Sequence, residues 1–336
     1  MKFDLGILAT QPVPEIVRQV QLAEALGFDT VWIADTHLIC RELWVTLTAC
    51  VLGTGRIRLG PGVTVPHSRH VSVTASAVLT LDELAPGRIV LGLGTGGSSA
   101  QTMGLRLEQV GRARALEKMA TDVRRLTRRE PVRFESGTDG SVAWLEAPRN
   151  VPIYLAGSGP RMLETAGRLG DGVMMYVGTA PPILKAGLAC VAKGAAASGR
   201  ALDDLDVVLW TPTSISSDPS KARDHVRGRV ASALRHPLPV DLPPEDQAAI
   251  KRVRESYDAF QHATADSRHR ELVPDHLVDL MALAGTPEEV REQVERVAAV
   301  RGIDRIAILP QVPGEGFAQR EEILRLFADG VMARLG

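Results

Sequence analysis

The chain has 336 residues, of which 45% are hydrophobic and only 4% aromatic, and its 39 basic and 40 acidic residues leave a net charge of −1. This charge balance gives no electrostatic footprint for nucleic acid or for an anionic membrane, so we expect neither as a partner. The core must be mainly aliphatic, which suits buried parallel strands better than an aromatic-rich sandwich.

The cysteines and the N-terminal region bear on the compartment. Cys40, Cys50 and Cys190 make neither an even disulfide framework nor a metal-ligand spacing. The N-terminal residues lack the apolar region and cleavage site of a signal peptide. No stretch approaches the roughly 20 apolar residues that a membrane span needs. We therefore expect a cytoplasmic protein.

Strand-like apolar runs alternate with helical patterns along the chain. The strand candidates are Phe3–Ala9, Thr30–Ala34, Ile57–Val65, Arg88–Gly94, Pro152–Ala156, Gly172–Val177, Asp206–Thr211 and Ile303–Leu309. The helical patterns between and after them include 43–52, 107–129, 160–169 and 319–334, and Gly27 stands where a helix C-cap glycine belongs. This alternation predicts an α/β fold, a parallel (β/α)8 TIM barrel that spans 1–336 as one domain.

An open doubly wound sheet is the competing architecture. The run Gly92-Leu93-Gly94-Thr95-Gly96-Gly97 has the spacing G-x-G-x-G-G and follows the fourth strand candidate, whereas the dinucleotide fingerprint is G-x-G-x-x-G. One segment fits neither architecture. Pro237–Pro274 is rich in proline and charge, which predicts a helical insertion that shapes the substrate pocket.

Ligands of such barrels lie at the C-terminal ends of the strands, so the residues that follow each run are the candidate site. His37 follows the second run and could transfer a proton, or it could simply be satisfied by the neighbouring Asp35. Ala156–Pro160 is a glycine-rich turn that opens a helix, which suits a phosphate, although an ordinary tight turn has the same sequence. The sixth run leads to Tyr176 and Gly178.

Basic residues nearby leave further alternatives open. Arg69 could meet an anionic cofactor tail, and Arg112 and Arg114 could do the same or belong to an exposed helix face. His67 and His70 have no carboxylate or cysteine at ligand spacing, so no metal site is expected. The sequence has no G-x-S-x-G elbow, and hydrolysis is unsupported.

Five segments together resemble the luciferase-like flavin- and deazaflavin-dependent oxidoreductases. They read ALGFDTVWIAD, TLTACVLGTGRIRLGPGVTVP, TASAVLTLDELAPGR, VLGLGTGG and IYLAGSGPRMLETAGRLGDGVM. Within that superfamily the chain looks most similar to the coenzyme F420-dependent methylenetetrahydromethanopterin reductases. The resemblance covers most of 3–200. It implies a TIM barrel with a deazaflavin or FMN across its C-terminal rim, and a homodimer formed by helices near the second and third strands.

The resemblance also assigns roles to individual residues. It implies a non-proline cis peptide at Gly62–Val63 that backs the ring, and it places Thr64 near the ring. Asp35 and His37 match a catalytic acidic–histidine pair, here separated by Thr36. The cofactor-binding residues that it implies, together with the sixth-strand glycine, are Gly62, Val63, Thr64, Gly96, Gly97, Ser98, Ser99, Ala156, Gly157, Ser158, Gly159, Pro160 and Gly178.

Two departures from the deazaflavin relatives concern the substrate. Gly97-Ser98-Ser99 stands where those relatives have a carboxylate, and Val65 stands where they have asparagine. The chain therefore lacks a carboxylate general acid from that loop, and the departures argue against a methanopterin-type substrate.

Three functions are compatible with the sequence. The first is hydride transfer between coenzyme F420 and a small organic substrate. The second is a two-component FMN-dependent monooxygenase, which would need a flavin reductase partner. The third is a non-catalytic relative, against which the intact glycine-rich strand ends argue.

Overall fold

The computed structural model describes residues 1–106, 111–258, 260–261, 267–312 and 316–335. The strands in these ranges are β1 (Lys2–Ile7), β2 (Thr30–Ile33), β3 (Arg58–Pro61), β4 (Leu91–Leu93), β5 (Val132–Arg133), β6 (Asp139–Gly140), β7 (Ile153–Gly157), β8 (Gly172–Met175), β9 (Asp206–Ile215), β10 (Leu283–Gly285) and β11 (Arg305–Pro310).

Eight of these strands form a parallel barrel, as the alternation predicts. They pair in the order β3-β2-β1-β11-β9-β8-β7-β4, and the ends of this order meet through the parallel bridges Leu59–Ile89 and Thr64–Leu93. The short strand β10, which the sequence pattern missed, pairs with β9 outside this order. β5 and β6 form a small antiparallel hairpin.

Helices follow the strands. They are α1 (Val13–Leu26), α2 (Leu43–Leu52), α3 (Val71–Leu84), α4 (Gly97–Thr102), α5 (Arg112–Thr127), α6 (Pro160–Leu169), α7 (Pro181–Ala197), α8 (Pro219–Leu234), α9 (Pro244–Ser256), α10 (Asp275–Met281), α11 (Pro287–Ala298), α12 (Phe317–Phe327) and α13 (Ala333–Leu335). None of the described helices has the length and apolar character needed to cross a bilayer.

The predicted helix boundaries agree with the structure where a local signal marks them. Gly27 ends α1 in the left-handed conformation, φ 89°, and its N–H bonds back to the helix. Two predicted helices need correction. The helix predicted at 107–129 is described only as α5, since 107–110 lie outside the described residues. The helix predicted at 319–334 is interrupted by a π-helical turn at Ala328–Met332.

The predicted insertion is helical where it is described. It contains α9 and a 3₁₀ turn at Arg268–Leu272. Apolar side chains of α8, α9 and α10 pack into a second hydrophobic cluster, separate from the main core. This cluster includes Val226, Val230, Ile250, Val253 and Leu277. The insertion therefore packs against the helices that surround it.

A polar network fills the N-terminal end of the barrel. The Arg305 guanidinium donates to the carboxylates of Asp4 (3.0 Å), Asp29 (2.5 Å) and Asp206 (3.0 Å). Trp32 Nε1 also donates to Asp4, at 3.0 Å. Burial raises the pKa of the Asp4 carboxyl from 3.8 to about 6, against the opposing effect of Arg305.

We predict a pH-dependent stability difference between Asp4→Asn and the wild type. Between pH 3.8 and about 6 the folded wild type binds a proton that the unfolded chain has released, so its stability falls as pH rises through this window. The variant lacks this titration. Its unfolding free energy relative to wild type should rise by about 2 kcal/mol from pH 4 to pH 7 in urea titrations. Asp203→Asn, at an exposed carboxylate, serves as control, and parallel profiles for Asp4→Asn and wild type would contradict the assignment.

Candidate functional site

A cavity of about 920 Å³ opens at the C-terminal ends of the barrel strands. Loops after β1, β2, β3, β4, β7 and β8 contribute to its wall, together with α8 and β9. The structure brings most of the predicted site residues together here, namely Asp35, Gly62, Val63, Gly96, Gly97, Ser98, Ser99, Ala156, Gly157, Ser158, Gly159 and Pro160.

The floor of the cavity is apolar. Val63, Ala156 and Trp210 line it and pack on the buried side chains of the barrel interior. The Gly62–Val63 peptide is cis, as the resemblance implied. Gly62 must lack a side chain here, because a Cβ would lie 2.8 Å from the Trp210 ring. The result is a broad surface suited to a flat ring.

Asp35 is buried at the cavity wall, and its carboxylate accepts hydrogen bonds from neighbouring side chains. Its carboxylate accepts the Thr64 hydroxyl at 2.7 Å and the Arg69 guanidinium at 2.5 Å. Arg69 also donates to Glu42, at 2.6 Å. The suggestion that Arg69 meets a cofactor tail is therefore wrong for this structure, since its guanidinium neutralises Asp35 and Glu42.

The loop after β4, beside the floor, is also hydrogen-bonded to the Asp35 region. The Ser99 hydroxyl donates to the Asp35 carbonyl at 2.5 Å and lies 3.3 Å from the Thr36 hydroxyl. Ser99 is the third residue of α4, which begins after Gly96. Asp35 therefore holds the loops after β2, β3 and β4 in register.

Three predicted residues lie outside the cavity wall. His37 is half-buried, and the preceding Thr36 lines the cavity in its place. Thr64 is fully buried behind the wall, where it bonds to Asp35. Gly178 is the clearest correction. Its φ is 109°, and a Cβ there would lie 2.6 Å from the Leu280 carbonyl, so this glycine serves packing against α10.

The turn Ala156–Pro160 leads from β7 into α6. Pro160 occupies the first turn of the ten-residue helix, and the amides of Met162 and Leu163 already bond to the Gly159 carbonyl. The side chains of Arg112, Arg114 and Arg161 line the same cavity. A helix N-terminus with these cations nearby favours an anion.

Sequence reasoning missed the contribution of the segment from 229 onward. Arg229, Ser232, Arg235 and His236 line the cavity from α8 and its end. Arg235 donates to Ser98 (3.3 Å) and Gln101 (3.1 Å) and stacks 3.7 Å from the Tyr257 ring centre. These residues are spaced by three, three and one positions, which puts them on one face of a helix. That spacing is the sequence signal that could have revealed them.

The cavity wall is strongly cationic. Six arginines line it, namely Arg112, Arg114, Arg161, Arg229, Arg235 and Arg254. Among the described residues of this lining, the single carboxylate is Asp35, which Arg69 already neutralises. Burial and the charges of Arg235, Arg112 and Arg254 lower the pKa of His236 to about 4, which leaves its imidazole neutral at pH 7. Within the described ranges, no three His, Cys, Asp or Glu side chains are grouped to hold a metal ion.

The chain forms an eight-stranded parallel barrel with a cavity and a glycine-rich turn at its C-terminal rim. The chain belongs to the luciferase-like monooxygenase family, whose description matches residues 1–305.

Two relatives and one solved structure are similar to this chain over most of its length. The chain is 30% identical over 308 residues to a 5,10-methylenetetrahydromethanopterin reductase of Archaeoglobus fulgidus, covering 89% of this chain and 90% of the relative. It is 34% identical over 245 residues to an F420-dependent glucose-6-phosphate dehydrogenase of Nakamurella multipartita, covering 68% and 69%. The solved F420-dependent tetrahydromethanopterin reductase of Methanopyrus kandleri has the same fold, with a TM-score of 0.81, 24% identity and coverage of 100% and 99%.

We predict that Arg69→Met destabilises the protein by about 3–5 kcal/mol, because it leaves the buried Asp35 carboxylate without its cation. The double variant Asp35→Asn/Arg69→Met should regain part of this loss, since the amide carries no charge. Arg133→Met is the matched control, because the Arg133–Asp139 pair is exposed and should cost less than about 1 kcal/mol. Equal unfolding free energies for Arg69→Met and Arg133→Met in urea titrations would refute the role given to Arg69.

Proposed function

We propose that this protein is an oxidoreductase that transfers a hydride between coenzyme F420 and a small organic substrate in the rim cavity. The observation that carries the proposal is the combination of an apolar floor, formed by Val63, Ala156 and Trp210, with a cationic turn at the cavity edge. The relatives at 30% and 34% identity, a methylenetetrahydromethanopterin reductase and an F420-dependent dehydrogenase, support it.

The residues present fit a deazaflavin, which has a flat ring and an anionic side chain. Val63, Ala156 and Trp210 would lie under the ring, and the loop Gly96–Ser99 would lie beside it. The turn Ala156–Pro160, with Arg161, Arg112 and Arg114, would hold the phosphate of the side chain. When bound, the deazaflavin supplies or accepts a hydride at ring carbon C5.

The protein contributes position, shielding from water and proton control. Asp35 acts as a positioning residue, because its oxygens are engaged by Thr64 and Arg69. Gly97-Ser98-Ser99 offers no carboxylate, so a proton must come from elsewhere. The cavity wall contains Tyr176, whose pKa burial raises to about 12, and the neutral His236. His37, just outside the wall, remains a proposed catalytic residue.

The FMN-dependent monooxygenase is the second candidate, and it would depend on a separate flavin reductase. The family description itself names monooxygenases, whereas the relatives at 30% and 34% identity are a methylenetetrahydromethanopterin reductase and an F420-dependent glucose-6-phosphate dehydrogenase. We favour F420 on this ground.

We also propose that the protein forms a homodimer in the cytoplasm. Four large apolar side chains of α2 and α3 are exposed: Val45 (65%), Leu52 (71%), Val73 (51%) and Leu84 (50%). These helices follow β2 and β3, the region that the resemblance implies for dimerisation. The three cysteines are free thiols, in keeping with a reducing compartment.

We predict micromolar binding of F420, measured by quenching of its fluorescence, and at least tenfold weaker binding of FMN. Arg161→Met should weaken F420 binding about tenfold, because it removes a cation from the phosphate turn. Arg128→Met, at an exposed arginine outside the cavity, is the control and should leave the affinity unchanged. Tighter binding of FMN than of F420 would support the second candidate instead.

We predict that His37→Ala lowers F420-dependent turnover about 100-fold, the usual loss for an acid–base group, with any substrate that reduces F420 in the presence of wild type. Leu38→Ala, at an exposed neighbouring residue outside the cavity wall, is the control for disturbance of the loop. F420 affinity should be unchanged in both variants. Turnover of His37→Ala within twofold of wild type would show that the imidazole has no part in the reaction.

A further inference from the structure

Two arginines on one side of the cavity have no partner. Arg229 lies on α8 and lines the cavity, and Arg320 lies on α12. In the part of the chain that the structure describes, neither guanidinium donates a hydrogen bond or forms an ion pair, and the Nε atom of each is buried without a partner. The Arg229 carbonyl, by contrast, accepts the Tyr176 hydroxyl at 3.2 Å, which fixes this part of α8.

The two side chains are close to each other, and Arg229 is the one that lines the cavity. The charge of Arg229 perturbs the pKa of Cys40, Tyr176, Arg235 and Arg320, so Arg229 lies near all four. Burial, followed by the charge of Arg229, lowers the pKa of Arg320. None of these four neighbours is a carboxylate, and Asp35, which also acts on the Cys40 thiol, is already paired with Arg69.

This pair lies toward the side of the rim opposite the loop Gly96–Ser99. In the closed strand order, β11 is four strands from β4 in either direction and three strands from β7. Arg320 follows β11, and Arg229 lies on α8, which follows β9, two strands from β7. The loop Gly96–Ser99 follows β4, and the turn Ala156–Pro160 follows β7. A ring that lies beside the loop after β4, with its side chain in the turn after β7, would therefore leave the side of Arg229 and Arg320 for the substrate.

Partly buried guanidinium groups of like charge are costly unless an anion pairs with them. Two other buried arginines of this structure are paired with carboxylates: Arg69 with Asp35, and Arg305 with Asp4. The absence of a carboxylate around Arg229 and Arg320 in the described residues marks a place where the protein leaves the anion to a ligand. A planar guanidinium can bind carboxylate or phosphate oxygens in a bidentate manner.

We propose that the substrate carries an anionic oxygen group, a carboxylate or a phosphate, that Arg229 binds with the support of Arg320. This inference rests on the proposed function for the location of the reacting ring. It adds the substrate class: a small organic anion whose charged end lies on the α8–α12 side and whose reacting carbon lies over the apolar floor.

The test uses F420-loaded protein, in which the phosphate turn is already filled. Succinate and inorganic phosphate are titrated separately by calorimetry at constant ionic strength. We expect one saturable site for at least one of them, and the preferred anion assigns the group as carboxylate or phosphate. Arg229→Met and Arg320→Met should weaken this binding about tenfold or more, with F420 affinity within twofold of wild type.

Matched variants separate this site from the cofactor site. Arg161→Met should weaken F420 binding and leave anion binding to the loaded protein intact, and Arg128→Met should change neither. If Arg229→Met does not fold, Arg229→Lys keeps the charge and should retain part of the binding. Unchanged anion affinity in Arg229→Met and Arg320→Met, or no saturable binding to wild type, overturns the proposal.

Two further outcomes distinguish the proposals from each other. If Arg229→Met weakens F420 and not the added anion, these arginines hold the cofactor tail and the substrate inference is wrong. If wild type fails to bind F420, the proposed function fails. The anion titration is then carried out on the free protein. Weaker anion binding in Arg229→Met but not in Arg161→Met supports the anion site, and equally weakened binding in both variants refutes it.

Discussion

The geometry of the rim depends on Thr64. Its backbone N–H bonds to the Gly92 carbonyl and its carbonyl accepts the Gly94 N–H, both at 3.0 Å, which joins the end of the third strand to the fourth. Its hydroxyl donates to Asp35, which follows the second strand. One residue therefore connects three neighbouring loops. Together with the Leu59–Ile89 bridge, this junction closes the barrel between the third and fourth strands, next to the Val63 side chain of the floor.

The cavity has an apolar floor and a cationic wall, and the two parts have different origins. The floor comes from barrel strands, through Val63, Ala156 and Trp210, and is as rigid as the core on which it packs. The cations beyond it come from α5, α6, α8 and α9, outside the strands. Ring binding is thus a property of the shared scaffold, whereas charge selection belongs to segments that can vary without disturbing the barrel.

The sequence carried enough local information to predict the strands, several helix ends and most of the floor. Gly27 and the helices at 43–52 and 160–169 have their own capping or proline signals. Contacts between residues that are far apart in the chain could not be predicted from the sequence. Gly178 was predicted to bind the cofactor because it is a glycine close to a strand end. In the structure its positive φ and its packing on α10 require glycine, and the sequence cannot distinguish these two reasons. Arg229 and Arg235 were missed because α8 meets the rim only after folding, and the pairing of Arg69 with Asp35 depends on residues 34 positions apart.

The network at the opposite end of the barrel has a consequence for how the chain assembles. Asp4 and Arg305 are 301 positions apart, so a chain emerging from the ribosome exposes its first strand long before the cation that neutralises it exists. Until β11 has been synthesised, the Asp4 carboxylate must stay in water, and β1 cannot pair with its neighbour on that side. Such non-local closure slows folding. The three acidic groups that hold Arg305 can therefore complete their network only after residues up to 305 have been synthesised.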